Sequence, residues 1–575
     1  MRARLGQPAT VEPAVVQALV RQLQLPEALA AILARRGYRD PEAAKTFLRP
    51  QLAGLLDPWS LDDMEVAVER VSTAIDAGET VLVHGDYDVD GVCGSAMLVR
   101  ALRELGAHVD AFVPNRLKDG YDFGPAGLDV ARRAQASLVI TCDCGIVAYE
   151  TIAQARRDGI DVLVSDHHTP GPQLPQALAV LNPHRPESRY AEKVLCGAGV
   201  AFKLLQALFE RRGRRVEDLY KYLDLVAIPT IADLVPLTGE NRILARFGLK
   251  VLRRSPNPGL RALLRVAGLQ PDRPINAGQI GFVIGPRLNA VGRLGEAMRG
   301  VRLLLSDDDV EAQALAEVVD SENRARQELD RATLGQVREV LERTYDPARD
   351  RAIVLASQDW HPGVIGIVAS RVVEEHYRPT VLIALDGERG RGSGRSIPRF
   401  HLYEAIKACE GYLDQFGGHA AAAGLQIRSA NVEAFREALN AVAHERLSEE
   451  DLQPYLRVDQ EISLSQVDSE LWRFLAHFGP YGQGNPKPVF LTRQVRLRGE
   501  PQVIKDEHLR LRLEGDGAAA EAFAFGRAAD AEWLRDTTVV DLAFQLGVRE
   551  WQGIEYLQAQ VLDLRPSEAW ATSES

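Results

Sequence analysis

The apolar run Val81-Leu82-Val83 passes directly into His84-Gly85-Asp86-Tyr87-Asp88-Val89-Asp90-Gly91, and the small residues Val92-Cys93-Gly94-Ser95-Ala96-Met97 follow. This order predicts a strand, a tight polar loop and a helix. In seven positions, one imidazole and three carboxylates stand at the carboxyl end of a strand, where open α/β sheets hold their ligands. Carboxylates crowded together repel one another unless a cation lies among them. Oxygen donors with some imidazole suit magnesium or manganese, whereas zinc prefers sulfur and nitrogen.

Three further runs end in the same chemistry. Residues 136–141 lead to Asp143, which sits between Cys142 and Cys144 and precedes Gly145. Residues 161–165 lead to Asp166-His167-His168, and residues 225–232, open to a reading more helical than strand-like, lead to Asp233. A single aspartate after a strand is more often a helix N-cap than a ligand. Three histidines and six aspartates over four element ends exceed what capping requires. Parallel strands would bring these ends together, so the pattern predicts a binuclear metal centre.

Gly85-Asp86-Tyr87-Asp88-Val89-Asp90-Gly91, Thr141-Cys142-Asp143-Cys144-Gly145 and Asp166-His167-His168 resemble the successive motifs of the DHH phosphoesterase superfamily. Four further segments are similar to those of its RecJ family of single-strand-specific exonucleases. They are Val113-Pro114-Asn115-Arg116 with Asp119-Gly120-Tyr121, Gly285-Pro286-Arg287-Leu288-Asn289 with Gly292-Arg293-Leu294, Gly392-Ser393-Gly394-Arg395-Ser396, and Gly417-Gly418-His419. The resemblance runs from about residue 50 to about residue 565 and misses no metal-site position.

The resemblance implies two divalent cations, Mn2+ or Mg2+. Its ligands would be His84, Asp86 or Asp88, Asp90, Asp143, His167 and Asp233, with Asp143 bridging the ions. An extended loop points alternate side chains to opposite sides, so the division among Asp86, Asp88 and Asp90 stays open. Asp143, His167 and His168 form the implied catalytic group, and His168 either contacts the phosphate or protonates the leaving oxygen. Arg287, Asn289 and Arg293 would bind phosphate. Ser393, Arg395, Gly417, Gly418 and His419 would hold the nucleotide. Asn115 and Arg116 either support the site or are structural.

The implied activity is 5′-to-3′ removal of nucleoside 5′-monophosphates from single-stranded DNA, in recombination and repair. Single-stranded DNA is the expected partner, with a single-strand-binding protein and a helicase as candidates, and the protein is expected to be a monomer. Two alternatives stand beside it: a phosphodiesterase for oligonucleotides or small nucleotides, and a non-catalytic DNA-binding repair scaffold. A small substrate needs neither a β-rich terminal domain nor basic runs, and a scaffold has no need of a full ligand set.

A net charge of −12 opposes DNA on average, but local charge decides phosphate contact. Residues 241–265 carry Arg242, Arg246, Lys250, Arg253, Arg254, Arg261 and Arg265 without an acid. Residues 389–399 add four arginines among glycines, read as a flexible loop that backbone and phosphate can share. Five cysteines, no stretch of 18 apolar residues and no apolar leader point to the cytoplasm, with no membrane contact.

The expected fold class is α/β and multidomain. Residues 1–50 form short helices, at 14–25 and 27–36, that cap or clamp the main domain. Residues 51–305 alternate apolar strands with amphipathic helices such as 66–77 and 200–211, the pattern of a parallel sheet and here the DHH catalytic domain. Ser306, followed by Asp307-Asp308-Asp309 as first-turn acids, caps a proline-free connecting helix over 306–345. Residues 346–450 form a smaller α/β unit, the DHH-associated domain, marked by His361-Pro362-Gly363. After a connector at 451–485, alternating short strands at 486–565 predict a β-barrel, an OB-fold by resemblance. Trp551-Gln552-Gly553 marks one of its turns, and residues 566–575 form a tail.

Overall fold

The structure, a computed structural model, describes residues 3–116, 118–270, 273–294, 296–551 and 554–567. Gln552 and Gly553 of the expected turn, and residues 568–575 of the expected tail, lie outside the described residues. The chain forms two compact units, one of residues 50–336 with 480–486, the other of residues 1–49, 337–479 and 487–575.

The N-terminal helices α1 (Pro13–Leu23), α2 (Glu27–Arg35) and α3 (Pro41–Leu48) belong to the second unit. Helix α2 buries every residue from Ala28 to Ala34, so it needs cover on most sides. Arg35 Nη1 donates to Asp459 O and to Gln460 Oε1, each at 2.7 Å, and Arg4–Gly6 pairs in parallel with Tyr455–Arg457. The N-terminal segment is thereby tied to the connector before the barrel.

The first unit alternates helix and strand. Its elements are α4 (Met64–Ala77), β1 (Thr80–Gly85), α5 (Val89–Glu104), β2 (His108–Phe112), α6 (Pro125–Arg133), β3 (Leu138–Cys142), α7 (Tyr149–Arg157), β4 (Asp161–Ser165) and β5 (Ala179–Leu181). All strands are parallel, in the order β2-β1-β3-β4-β5. Every residue of β3 is buried, as a strand covered by helices on both faces requires.

Among the further helices of the unit are α8 (Gly197–Arg211), α9 (Leu223–Ala232), α10 (Gly239–Leu252) and α11 (Gly285–Leu294). The run before Asp233 is therefore a helix, not a strand. Helix α9 is buried all round from Leu223 to Ile231, and an unbroken apolar run of that length does not distinguish the two states. Lys203 of α8 and Glu240 of α10 pair at 2.7 Å in this core, with Glu240 Oε2 accepting from the Tyr190 hydroxyl.

Helix α12 (Asp309–Thr344) then runs for 36 residues and carries the chain from the first unit into the second. Its cap is Asp308 rather than Ser306: Asp308 Oδ1 accepts from Val310 N and Glu311 N at 2.9 and 2.8 Å. Part of the basic run 241–265 is engaged inside the first unit. Arg242 is buried, Arg261 donates to Asp309 at 2.9 Å, and Arg265 donates to Gln313.

In the second unit, β6 (Ile353–Ser357), α13 (Ile365–His376), β7 (Thr380–Asp386), β8 (Arg389–Arg395), β9 (Leu413–Gly418), β10 (Ala422–Arg428) and α14 (Val432–Arg446) form an α/β layer. The sheet order is β9-β10-β8-β7-β6, parallel only between β6 and β7. Arg391 to Arg395, expected in a flexible loop, thus lie on an interior strand. Glycines 390, 392 and 394 face the core: a methyl group built on Gly392 would lie 2.6 Å from Leu425 Cδ1.

The barrel comprises β11 (Phe490–Leu497), β12 (His508–Gly515), β13 (Ala518–Ala524), β14 (Val539–Trp551) and β15 (Ile554–Pro566). Pairings β11–β14, β14–β15, β15–β13, β13–β12 and β12–β11 close the ring, and only β13–β15 is parallel. This is a five-stranded closed barrel with OB-fold connectivity. Among the described residues, no helix is long and apolar enough to cross a membrane.

Candidate metal centre

Strand order reverses between β1 and β3, the place where a doubly wound sheet opens a crevice at its carboxyl ends. The acidic loop leaves β1 there and Asp143 leaves β3. Asp88 caps α5, its Oδ1 accepting from Asp90 N and Gly91 N at 2.8 and 3.2 Å. Asp90, fully buried, accepts from Gly197 N and Ala198 N at 2.6 and 2.7 Å. Asp143 has φ 64°, a left-handed conformation uncommon outside glycine, asparagine and aspartate. Asp233 is the C-cap of α9.

The imidazoles complete the cluster. His167 Nε2 lies 3.1 Å from Asp143 Oδ1 and 3.8 Å from both Asp90 Oδ2 and Asp233 Oδ2. His168 Nδ1 is 2.8 Å from Asp166 Oδ1 and 3.8 Å from Asp143 Oδ1. Three groups have donor atoms within 4.8 Å of one another: Asp143 with His167 and His168, Asp90 with His167 and Asp233, and Asp86 with Asp88 and Asp143. Asp143 belongs to two of them.

The electrostatics fit cations. Burial, then the charge of Asp88, raises Asp86 well above the usual carboxylate range, and burial with Asp90 and Asp88 does the same to Asp143. Burial and the same two neighbours push Asp233 to about 8. Asp143 Oδ1, Asp86 Oδ1 and His84 Nε2 are buried without a hydrogen-bond partner, which leaves lone pairs for an ion. Burial depresses His84 to about 4, so its ring is neutral as a ligand must be.

Three family models match the chain: the DHH family N-terminal domain over residues 80–230, the DHHA1 domain over 349–445 and the RecJ OB domain over 458–563. The single-stranded-DNA-specific exonuclease RecJ of Escherichia coli is 36% identical over 567 residues, covering 94% of this chain and 96% of its own. The chain belongs to the RecJ family. RecJ from Thermus thermophilus, crystallised with Mn2+, superposes with a TM-score of 0.83 at 35% identity, covering 98% of this chain and 79% of that one. Its Mg2+ complex matches with a TM-score of 0.78 at 33% identity, over 98% of this chain and 78% of that one. The acidic and histidine groups of this chain are positioned so that they could hold a metal ion.

The other predicted residues of this RecJ-family chain fall into several settings. His84 stands outside the three donor groups, its Nδ1 3.6 Å from Cys144 Sγ and its ring edge-on to Phe123. Asn289 of α11 reaches the acidic loop, its Oδ1 accepting from Val89 N at 2.8 Å. Arg287 donates to Asp320 Oδ1 at 2.9 Å and to Val283 O, so one edge of its guanidinium is occupied by protein. The Arg116 guanidinium lies over the Tyr87 ring at 5.1 Å, Asn115 organises its own turn with Lys118 and Asp119, and the charge of Arg293 reaches Tyr87.

In the second unit, Arg395 donates to Ser393 Oγ at 3.2 Å and to Gly394 O at 2.8 Å. Gly417 and Gly418 end β9, and His419 closes the hairpin by donating its N–H to Ala422 O. Sequence reasoning missed Gly197 and Ala198, whose small residues at a helix start look like ordinary helix packing. It also left Asp122 unassigned, although its Oδ1 accepts from Gly145 N at 2.6 Å and braces the loop after Asp143.

Proposed function

We propose that the protein is a single-stranded-DNA-specific exonuclease that degrades 5′ to 3′, releasing nucleoside 5′-monophosphates by phosphodiester hydrolysis at two divalent cations. The observation that carries this reading is the donor cluster at the β1–β3 switch point, with buried lone pairs left unsatisfied and Asp143 shared by two groups. Bound divalent cations supply a nucleophile at neutral pH and neutralise charge that develops on the phosphodiester. The protein side of the chemistry follows from the residues. Asp90, His167 and Asp233, with Asp143 beside them, would hold one ion, and Asp86, Asp88 and Asp143 would hold the other, with His84 offered from β1.

His168 is the proton carrier. Burial alone would lower its affinity for a proton, but the hydrogen bond and charge of Asp166 outweigh burial and hold it at about 9. A charged, half-exposed imidazole beside Asp143 is placed to protonate a leaving oxygen. Arg287, Arg293, Asn289, Asn115 and Arg116 line the phosphate path, and Ser393, Arg395, Gly417, Gly418 and His419 bind the terminal nucleotide.

The barrel holds the strand. On its outer face β12 presents His508, Arg510 and Arg512, and Phe523 of β13 and Phe525 just beyond it stand beside them. Ring centroids are 4.6 Å apart for the two phenylalanines and 5.4 Å for His508 with Phe525, which is 61% exposed. Aromatic rings with cations on this face of an OB-fold suit unpaired bases. The protein works as a cytoplasmic monomer in recombination and repair, alongside a helicase and a single-strand-binding protein.

The test is digestion of a long oligonucleotide labelled at either end, with Mn2+, with Mg2+ and with chelator, beside blunt duplex. Metal-dependent release of mononucleotides from the 5′ end of the single strand is the expected result. Degradation of blunt duplex at a comparable rate, or release from the 3′ end, would overturn the assignment.

A further inference from the structure

Gly197 opens α8 against the two most buried carboxylates of the metal centre. A methyl group built on its Cα would lie 2.6 Å from Asp143 Cβ, 2.8 Å from Asp143 Cα and 2.9 Å from Asp143 Oδ1. Two of these atoms are the backbone and first side-chain carbon of a residue held at φ 64°, so no rotamer change makes room. The same glycine donates its N–H to Asp90 Oδ2 at 2.6 Å, and Ala198 donates to Asp90 Oδ1 at 2.7 Å. Those bonds leave each oxygen of Asp90 one further lone pair, in a fixed direction.

We propose that Gly197 is a positioning residue of the metal centre: its bare Cα gives Asp143 its place, and the first-turn N–H groups of α8 aim Asp90. The proposal rests on the metal-centre reading above and adds to it a wall that comes from outside the DHH motifs. Gly199 supplies the contrast two residues on. A methyl group there would meet Leu195 Cβ at 3.4 Å, an ordinary contact, and it makes no bond to either carboxylate.

The experiment compares the full-length G197A and G199A variants with wild type. Mn2+ alone is titrated calorimetrically, and kcat and KM are measured on single-stranded DNA. G199A should match wild type. Pushing Asp143 aside by about 1 Å should lower kcat by about 10²-fold in G197A and leave KM for DNA unchanged. Its Mn2+ affinity should fall by at least about tenfold, the scale of a lost bond to a charged group. G197A binding Mn2+ and turning over like G199A would overturn the proposal.

If G197A shows no unfolding transition in chelator, A198P decides instead. Proline is accepted in the first turn of a helix and removes one donor to Asp90. Its Mn2+ affinity should fall by about tenfold, and wild-type affinity there would refute the aiming of Asp90. A wild-type protein that binds no Mn2+ would sink the metal-centre reading itself, a different outcome from equal binding by all variants.

Discussion

Replacing Asp143 by asparagine should make the metal-free protein more stable and the metal-loaded protein less so. Carboxylate oxygens of Asp86, Asp88 and Asp143 lie within 4.8 Å of one another. At an effective dielectric constant of about 20, each ionised pair at that distance repels by about 3.5 kcal/mol. Asp143 has two such neighbours, so full ionisation would load the empty centre with about 7 kcal/mol from its contacts alone. Proton uptake relieves much of this, which is why burial and the charges of Asp90 and Asp88 hold Asp143 far above its usual range.

The sign follows from that direction. A carboxyl that binds its proton more tightly folded than unfolded costs nothing below the unfolded value of about 4, and its penalty grows as pH rises toward the folded value. Asparagine has the same shape, carries no charge and tolerates φ 64°. If one fifth of the repulsion survives relaxation, about 1.4 kcal/mol, the melting temperature of the unit should rise by about 3–6 °C. Scanning calorimetry at pH 8 in chelator should show this gain for D143N, and added Mn2+ should raise wild type but not the variant. The wild-type deficit should shrink at pH 5. A variant less stable than wild type in chelator at pH 8, or a gap that does not change with pH, would refute the reasoning.

Three further perturbations probe the scaffold. K203M strands Glu240, whose side chain is 1% exposed, without its 2.7 Å partner, and should cost about 3–5 kcal/mol, partly recovered in K203M/E240Q when measured by denaturant unfolding. Asp224, in the first turn of α9, accepts from Ser255 Oγ at 2.6 Å, and burial raises it from 3.8 to about 6. That carboxyl therefore costs the folded protein about 3 kcal/mol above pH 7 and nothing below about pH 4. D224N should gain stability over wild type as pH rises through 6, read from melting temperatures between pH 4.5 and 8. G392V drives side-chain carbons into Leu425 and should cost at least about 1–3 kcal/mol in the second unit, checked by its own unfolding transition.

Strands β1, β3 and β4 were readable from the chain because each is a short, buried and largely apolar run with its chemistry at the carboxyl end. Helix α9 was not, since a segment buried on every side carries no period to separate helix from strand. The segment Arg389-Gly390-Arg391-Gly392-Ser393-Gly394-Arg395 was misjudged for the opposite reason. Its period of two is strict, but glycine holds every inward position where strands usually show apolar residues, so composition argued loop while alternation argued strand. The N-terminal helices showed their amphipathic character and not their partner, because an apolar face states that it needs cover and not what supplies it. Basic residues between 241 and 265 are ambiguous in the same way: Arg261 and Arg265 bond to Asp309 and Gln313, and arginine serves helix packing as readily as phosphate.

Within the centre, hydrogen bonding sorts aspartates that look alike in the chain. Asp166 accepts from Ile146 N, His167 N, His168 N and His168 Nδ1, and although burial opposes it, the bond to His168 holds it below its usual range. It is saturated as an ionised acceptor, which makes it the brace of the Asp-His-His turn and not a ligand. Asp143 and Asp86 are the reverse, with buried oxygens that nothing in the protein satisfies and proton affinities raised accordingly. Asp88 divides its oxygens between a helix cap and the cluster, so the capping and ligand readings of that residue are both true. A carboxylate that the fold has buried and left unsatisfied must take up a proton or be completed by a cation. That deficit, more than the acidic motif alone, marks where the ions bind.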